Sequence, residues 1–133
     1  MMKKGLLRLL VLVTLTFFLF GCGQTTTQDF TQTQNGITAV YSMTPTTPVM
    51  MTPVTLSLTL TDSKGNAIEG ADVVYDLTMP GMTMPPNQPQ AVDKGKGLYQ
   101  VDATFTMSGN WHAETAVTYK GVTTPFTFDF SVQ

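Results

Sequence analysis

The amino-acid sequence predicts an all-β fold, a small antiparallel immunoglobulin-like β-sandwich of about six or seven strands. Apolar residues recur at every second position along several stretches, which is typical of strands with one buried face. Clusters rich in Gly, Asn, Asp, Ser and Lys separate these stretches and supply the chemistry of tight turns. Thr, Val, Phe and Gly are abundant after the N-terminal segment, and this composition favours strands over helices.

Residues 1–21 are predicted to be the signal peptide of a bacterial lipoprotein. Three basic residues lie within the first eight positions, and the apolar run that follows is too short to span a bilayer as a mature helix. The order Leu19-Phe20-Gly21-Cys22 resembles the lipobox, which implies cleavage before Cys22 and a diacylglycerol thioether on its sulfur. The sequence therefore predicts a chain that is lipid-anchored on the extracytoplasmic face of the cell membrane.

Residues 22–35 are predicted to be a lipidated, flexible tether, because they are rich in Thr and Gln and show no periodicity. The folded domain is then expected to comprise residues 36–133. Removal of the signal peptide leaves four basic and nine acidic residues, which give a formal charge of −5. A surface of this sign repels phosphate backbones, so nucleic acid is not expected as a partner.

Six alternating stretches predict the strands of the sandwich, and a short seventh strand is predicted near residues 90–93. Because Cys22 is the one cysteine of the chain, no internal disulfide can form and the apolar core must hold the fold. The first apolar residues of the six stretches are Ile37, Val54, Val73, Tyr99, Trp111 and Val122.

One segment breaks the alternation, since residues 79–87 contain three Met and three Pro. Proline cannot donate to a β-ladder, so the preceding strand is expected to end by Met79 and the remainder to form a stiff loop. Met79 and Met107 follow the parity of core residues, and packing is favoured over ligation for each of them taken singly. Met82 and Met84 lie beyond the strand, where restrained thioethers suit Cu(I) in an oxidising compartment.

His112 is the sole histidine, and it alternates with Trp111, so it is predicted to face outward or toward the end of the sandwich. The predicted hairpin of residues 107–112 brings a methionine and this histidine close together, and it could lie beside the Met-rich loop. The candidate ligands for Cu(I) are therefore Met79, Met82, Met84, Met107 and His112.

Four stretches taken together resemble the YtkA-like domain family, which is related to the FixH proteins. They are residues 62–73, Met79-Pro80-Gly81-Met82, Gly97-Leu98-Tyr99 and residues 105–111. The resemblance covers residues 37–133 and implies an extracytoplasmic immunoglobulin-like sandwich associated with copper handling, including delivery to haem–copper oxidases. It places Met79 and Met82 on the family's M-P-x-M motif and Met107 on its F-x-M-x-G-x-W motif.

The sequence does not predict an enzyme, because a single histidine is available as a base and no G-x-S-x-G elbow occurs. Two functions of different classes are left. The first is a membrane-anchored Cu(I) carrier that delivers its ion to a membrane protein such as a respiratory oxidase. The alternative is a structural or protein-interaction module without metal, in which the Met-rich loop is a hydrophobic docking edge.

Overall fold

The computed structural model describes residues 29–133, which form two antiparallel sheets and confirm the predicted all-β sandwich. The first sheet has the order β1-β2-β3-β6-β5 and the second the order β4-β7-β8. The strands are β1 (Phe30–Gln34), β2 (Ile37–Thr44), β3 (Pro53–Thr61), β4 (Asp72–Thr78), β5 (Val92–Asp93), β6 (Leu98–Thr104), β7 (Gly109–Tyr119) and β8 (Val122–Val132). The predicted signal peptide, Cys22 and the first part of the predicted tether lie outside the described residues.

The division of strands between the two sheets is that of an immunoglobulin constant-type domain. Strands β2, β3, β6 and β5 correspond in order to A, B, E and D, while β4, β7 and β8 correspond to C, F and G. Strand β1 is an addition beside the first of these strands. Within residues 29–133 no helix is long and apolar enough to cross a membrane.

Strand β1 lies in the stretch that was expected to be tether, so the predicted start of the folded domain is wrong. Its pairing with β2 runs from Phe30 opposite Tyr41 to Gln34 opposite Ile37. Asn35 and Gly36 both have positive φ, 50° and 74°, which is the geometry of a two-residue hairpin turn. The Asn-Gly pair was the sequence signal for this hairpin, and the polar composition around it concealed the strand.

Two further contacts hold β1 on the domain. The ring of Phe30 lies 6.4 Å from that of Tyr41. The side-chain amide of Gln32 donates to the carbonyl oxygen of Thr127 at 2.5 Å and accepts from the Thr127 N–H at 3.2 Å. Because Thr127 belongs to β8 of the other sheet, Gln32 joins the edges of the two sheets where no ladder connects them.

The core lies between the sheets and follows the predicted alternation. Trp111 is buried, and its ring meets that of Phe105 edge-on at 4.9 Å, while Phe105 also meets Phe130 edge-on at 5.3 Å. Tyr41 is stacked on Phe128 at 4.5 Å. These aromatic contacts across the interior tie the two sheets together without a disulfide between them.

Candidate metal centre

All seven methionines of the described residues lie at one end of the sandwich, here called the thioether end. Strands β2, β3 and β6 meet there, because Thr44 pairs with Thr55 and Pro53 pairs with Thr104. Strands β4, β7 and β8 meet there too, and residues 105–108 join β6 to β7 directly. The loops of this end are residues 45–52, 79–86 and 105–108. The methionines are Met43, Met50, Met51, Met79, Met82, Met84 and Met107.

The Met-rich loop starts with a β-turn over Met79-Pro80-Gly81-Met82. The N–H of Met82 donates to the carbonyl oxygen of Met79 at 3.1 Å, and Gly81 has a φ of 81°. Proline followed by a glycine of positive φ is the sequence that a type II turn requires. The M-P-x-M motif therefore has a structural reason as well, since it sets the direction in which the chain leaves β4.

The far side of this loop is fixed along β4. The N–H groups of Leu77 and Tyr75 donate to the carbonyl oxygens of Asn87 and Pro89, each at 3.0 Å, and Ala91 donates to Val73 at 2.9 Å. Residues 87–91 thus run back along the edge of β4 that does not face β7. The Met-rich loop is consequently the tip of a wide hairpin whose base is hydrogen-bonded.

The structure brings Met79 against the loop that contains Met107. The methyl carbon of Met79 lies 3.0 Å from the position that a Cβ on Gly109 would occupy, so the end of the Met79 side chain lies close against the backbone of Gly109. Met79, Met84 and Met107 are partly buried and pack against the core, whereas Met82 is 51% exposed. The predicted thioether ligands therefore divide into three that are held by packing and one that is accessible from outside.

Trp111 fixes the other side of this contact. Its indole Nε1–H donates to the carbonyl oxygen of Met107 at 3.1 Å, and its ring packs against Phe105. The loop of residues 105–108 is therefore held by a buried side chain at both the ring and the nitrogen. The phenylalanine, glycine and tryptophan of the F-x-M-x-G-x-W motif therefore have a structural role in holding this loop. The thioether of Met107 is not needed to form the turn.

His112 lies at the same end but on the outer face of the three-stranded sheet. It alternates with the buried Trp111 and Ala113 and is paired in register with Thr78 and Asp129. Its Nδ1 lies 2.6 Å from Oδ1 of Asp129. This contact orients the ring and leaves Nε2 as the nitrogen for a metal, as a carboxylate does for many histidine ligands.

Sequence reasoning missed Met50 and Met51 in the loop of residues 45–52. They are 47% and 68% exposed, and their backbones are joined to Gln133 and Phe105. Like the Met-rich loop, they are flanked by prolines, Pro48 and Pro53. The two flanking prolines were a usable sequence signal for a second restrained methionine loop. The position of that loop beside Met107, however, depends on strand register.

The donors of the thioether end are soft and neutral. Nowhere in residues 29–133 do three His, Cys, Asp or Glu side chains come close enough together to hold a metal. The four lysines of the same residues, Lys64, Lys94, Lys96 and Lys120, all lie in turns at the opposite end. Thioethers bind Cu(I) in preference to harder ions and lose no proton when they do so.

A comparison with family models matches residues 29–116 to a model described as YtkA-like. The matched stretch begins with β1 and ends within β7, so it includes all the methionines of the thioether end and His112. No curated protein matches the chain.

Proposed function

This chain belongs to the YtkA-like family, and on that premise we propose that it is an extracytoplasmic copper-handling protein. It binds Cu(I) through methionine thioethers and delivers the ion to a membrane protein such as a respiratory oxidase. The observation that carries the proposal is the collection of seven methionines at one end of a domain that has none elsewhere among its described residues. Packing alone gives no reason for this segregation, because every region of the core would accept methionine.

The first ligand set comprises Met79, Met82, Met84 and Met107. Contact of Met79 with Gly109 joins the Met-rich loop to the loop of Met107, and the hydrogen-bonded base of the hairpin limits the conformations that the loop can adopt. Such support reduces the ordering cost that a metal must overcome on binding. His112 is a further candidate ligand through Nε2.

The alternative function is a docking module that binds no metal. It is favoured by a different observation, the exposure of four large apolar side chains at the thioether end: Val49, Met50, Met51 and Met82. Clustered apolar exposure commonly marks a protein interface. The two functions differ in their need for sulfur, since leucine would serve docking as well as methionine but cannot bind Cu(I).

The decisive experiment is a Cu(I) titration of the full chain in detergent, with bicinchoninate as the competing chromophoric ligand. The variant carries Leu at Met79, Met82, Met84 and Met107, and Met43→Leu is the control because Met43 is buried at the same end. We expect the fourfold variant to lose at least about tenfold in Cu(I) affinity, while leucine preserves side-chain volume and the fold. Unchanged affinity would sink the copper proposal and leave the docking module.

Two additional measurements define the chemistry. Zn(II) and Cu(II) should bind far more weakly than Cu(I), because thioethers are poor ligands for harder ions. If His112 is a ligand, Cu(I) affinity should fall on acidification, because a proton and the metal compete for the imidazole. His112→Ala should then remove this pH dependence, and a pH dependence identical to that of the parent chain would exclude His112.

The lipid anchor is proposed on the sequence alone. Cys22→Ser removes the sulfur that would form the thioether, so metabolic labelling with a radioactive fatty acid should mark the parent chain and not the variant. Labelling of both chains would show that the anchor is elsewhere.

A further inference from the structure

The loop of residues 45–52 has a backbone fixed from two directions. The N–H of Met50 donates to the carbonyl oxygen of Gln133 at 2.6 Å, and Gln133 donates back to Pro48 at 2.9 Å. The N–H of Met51 donates to the carbonyl oxygen of Phe105 at 2.8 Å. Within the loop, the hydroxyl of Thr52 donates to the carbonyl oxygen of Val49 at 2.6 Å. The backbone that carries Met50 and Met51 is therefore held in place by hydrogen bonds.

The thioethers of Met50 and Met51 contribute little to packing. Met51 is 68% exposed and Met50 is 47% exposed, and neither belongs to the apolar core or to the side chains packed against it. Met43, by contrast, is buried in the core at the same end. A single exposed methionine is ordinary, but two adjacent ones on a rigid backbone need a reason other than folding.

Met51 occupies the third position of a β-turn over residues 49–52, closed by the N–H of Thr52 donating to the carbonyl oxygen of Val49 at 3.3 Å, and a positive φ at that position is normally adopted by glycine or asparagine. Four non-glycine residues among those described have a positive φ, and three of them, Asn35, Lys96 and Lys120, directly precede a glycine in a tight turn. Met51 has a φ of 61° and is followed by Thr52. Residues held in unfavourable conformations concentrate at functional sites, where the surrounding contacts maintain them.

The position of Met51 connects it with the first ligand set. Its N–H is bonded to Phe105, two residues before Met107, and Met79 packs against Gly109, two residues after Met107. The segments that contain Met51, Met107 and Met79 are thus neighbours at the thioether end. A Cu(I) ion could move between them by ligand exchange, in which one Cu–S bond forms as another breaks, without change of oxidation state or release of a proton.

We infer that Met50 and Met51 form a second Cu(I) site, which faces solvent and exchanges its ion with the site of Met79, Met82, Met84 and Met107. The inference rests on the proposed function, since it assigns new ligands to the same Cu(I) chemistry. Two neutral thioethers with open coordination positions make a weak site, suited to passing an ion to a partner that supplies further ligands. The first site, with more thioethers, holds the ion between transfers.

The experiment compares the full chain in detergent with its Met50→Leu/Met51→Leu variant, and Met43→Leu is again the control. Cu(I) is the probe for stoichiometry, and Ag(I), a Cu(I) mimic that is not oxidised in air, is the probe for methyl NMR of chains labelled with ¹³C in the methionine methyl groups. We expect the parent chain and Met43→Leu to bind two ions and the double variant one. The two methyl signals absent from the double variant should be those that shift in the parent chain with the second equivalent of Ag(I). Capture of Cu(I) by excess bicinchoninate should slow by at least about fivefold in the double variant.

The outcomes separate the two proposals. If the parent chain binds no Cu(I), both the proposed function and this inference are overturned. If the parent chain binds Cu(I) but the double variant has the same stoichiometry and capture rate, and the Met50 and Met51 signals do not move with Ag(I), the inference alone is overturned. Binding of one ion by the fourfold leucine variant, lost when Met50 and Met51 are also replaced, would support it directly.

Discussion

The two ends of the sandwich are built in different ways. The thioether end has two long loops that contain proline and, in its loops and at the end of β2, all seven methionines of the described residues; hydrogen bonds between distant segments hold these loops. The opposite end, here called the turn end, has short hairpins and the four lysines. Carboxylates of Asp62, Glu69 and Asp93 accept hydrogen bonds from the backbone of the turn end, whereas the loops of the thioether end are held mainly by bonds between backbone groups.

Two aspartates show how the turn end is made. Asp62 accepts hydrogen bonds from the N–H groups of Lys64 and Asn66, each at 2.9 Å. Asp93 accepts from the N–H groups of Gly70 and Gly95, each at 2.8 Å. Asp62 thereby fixes its own turn, whereas Asp93 also joins its turn to Gly70, 23 residues earlier in the chain. None of the methionines of the described residues is found in these turns.

The largest loss of stability should come from removing the core residue that supports the thioether end. Trp111→Ala should lower the free energy of unfolding by roughly 3–5 kcal/mol, because a buried indole leaves a cavity and the bond to Met107 is lost. Urea denaturation followed by circular dichroism measures the change. A loss below about 1 kcal/mol would mean that Trp111 is not a core residue and that the thioether end is held by its loops alone.

Gly97→Ala tests the turn end and should have the next largest effect. A Cβ on Gly97 would lie 2.5 Å from the carbonyl oxygen of Leu60, whereas a Cβ on Gly121 would meet nothing within 4 Å. Both glycines have a φ of 77°, so Gly121→Ala is a matched control for backbone strain. We expect a loss of about 2–4 kcal/mol for Gly97→Ala and about 1 kcal/mol for Gly121→Ala. Equal losses would show that the close approach to Leu60 relaxes freely.

Met-to-Leu changes should affect stability much less, and they test the distinction between partly buried and exposed methionine side chains. Met79→Leu should cost less than about 1.5 kcal/mol, because the methyl contact with Gly109 is altered while volume is kept. Met82→Leu should lie within about 0.5 kcal/mol of the parent chain, since Met82 is exposed. A larger loss for Met82→Leu than for Met79→Leu would contradict this assignment of roles.

The smallest effect is expected from Asp93→Asn, and it should be present at neutral pH and disappear in acid. The N–H of Gly70, and after it that of Gly95, lowers the pKa of Asp93 in the folded domain. The stabilisation is therefore complete above the pKa of the unfolded chain, near 3.9, and is lost as the pH falls through the lower folded value. The urea midpoint of the parent chain should fall more steeply between about pH 5 and about pH 2 than that of Asp93→Asn. Identical profiles would mean that the two N–H bonds do not distinguish the charged from the neutral carboxyl.

The strands were predictable because their signal is local. Alternation located β2, β3, β4, β6, β7 and β8 and placed Trp111 in the core, as the structure confirms. Strand β1 escaped because Phe30 is its single large apolar residue, and its pairing depends on the Asn-Gly turn and on Gln32. A tether and an edge strand of polar residues have similar compositions.

The candidate site was less predictable, because it depends on which loops share an end. The Met-rich loop and the motif around Met107 could be recognised along the chain. The position of Met50 and Met51 beside them follows from antiparallel pairing of β3 with β6 and from the bonds to Gln133 and Phe105. The pairing of His112 with Asp129 likewise follows from the register of β7 and β8.

The direction of β1 has a consequence for where the protein can work. The strand runs from Phe30 toward the turn end, and Phe30 lines a groove with Met43 and Gln133, so the chain enters the domain on the side of the methionines. Six residues lie between Cys22 and Asp29, and the seven steps along a fully extended chain span at most about 25 Å. With the proposed lipid on Cys22, the domain would be held close to the bilayer, and its collisions would be confined to a thin layer above the membrane surface. Its effective concentration toward a membrane-embedded acceptor would then be set by the length of the segment between Cys22 and the domain rather than by the amount of protein in bulk solution.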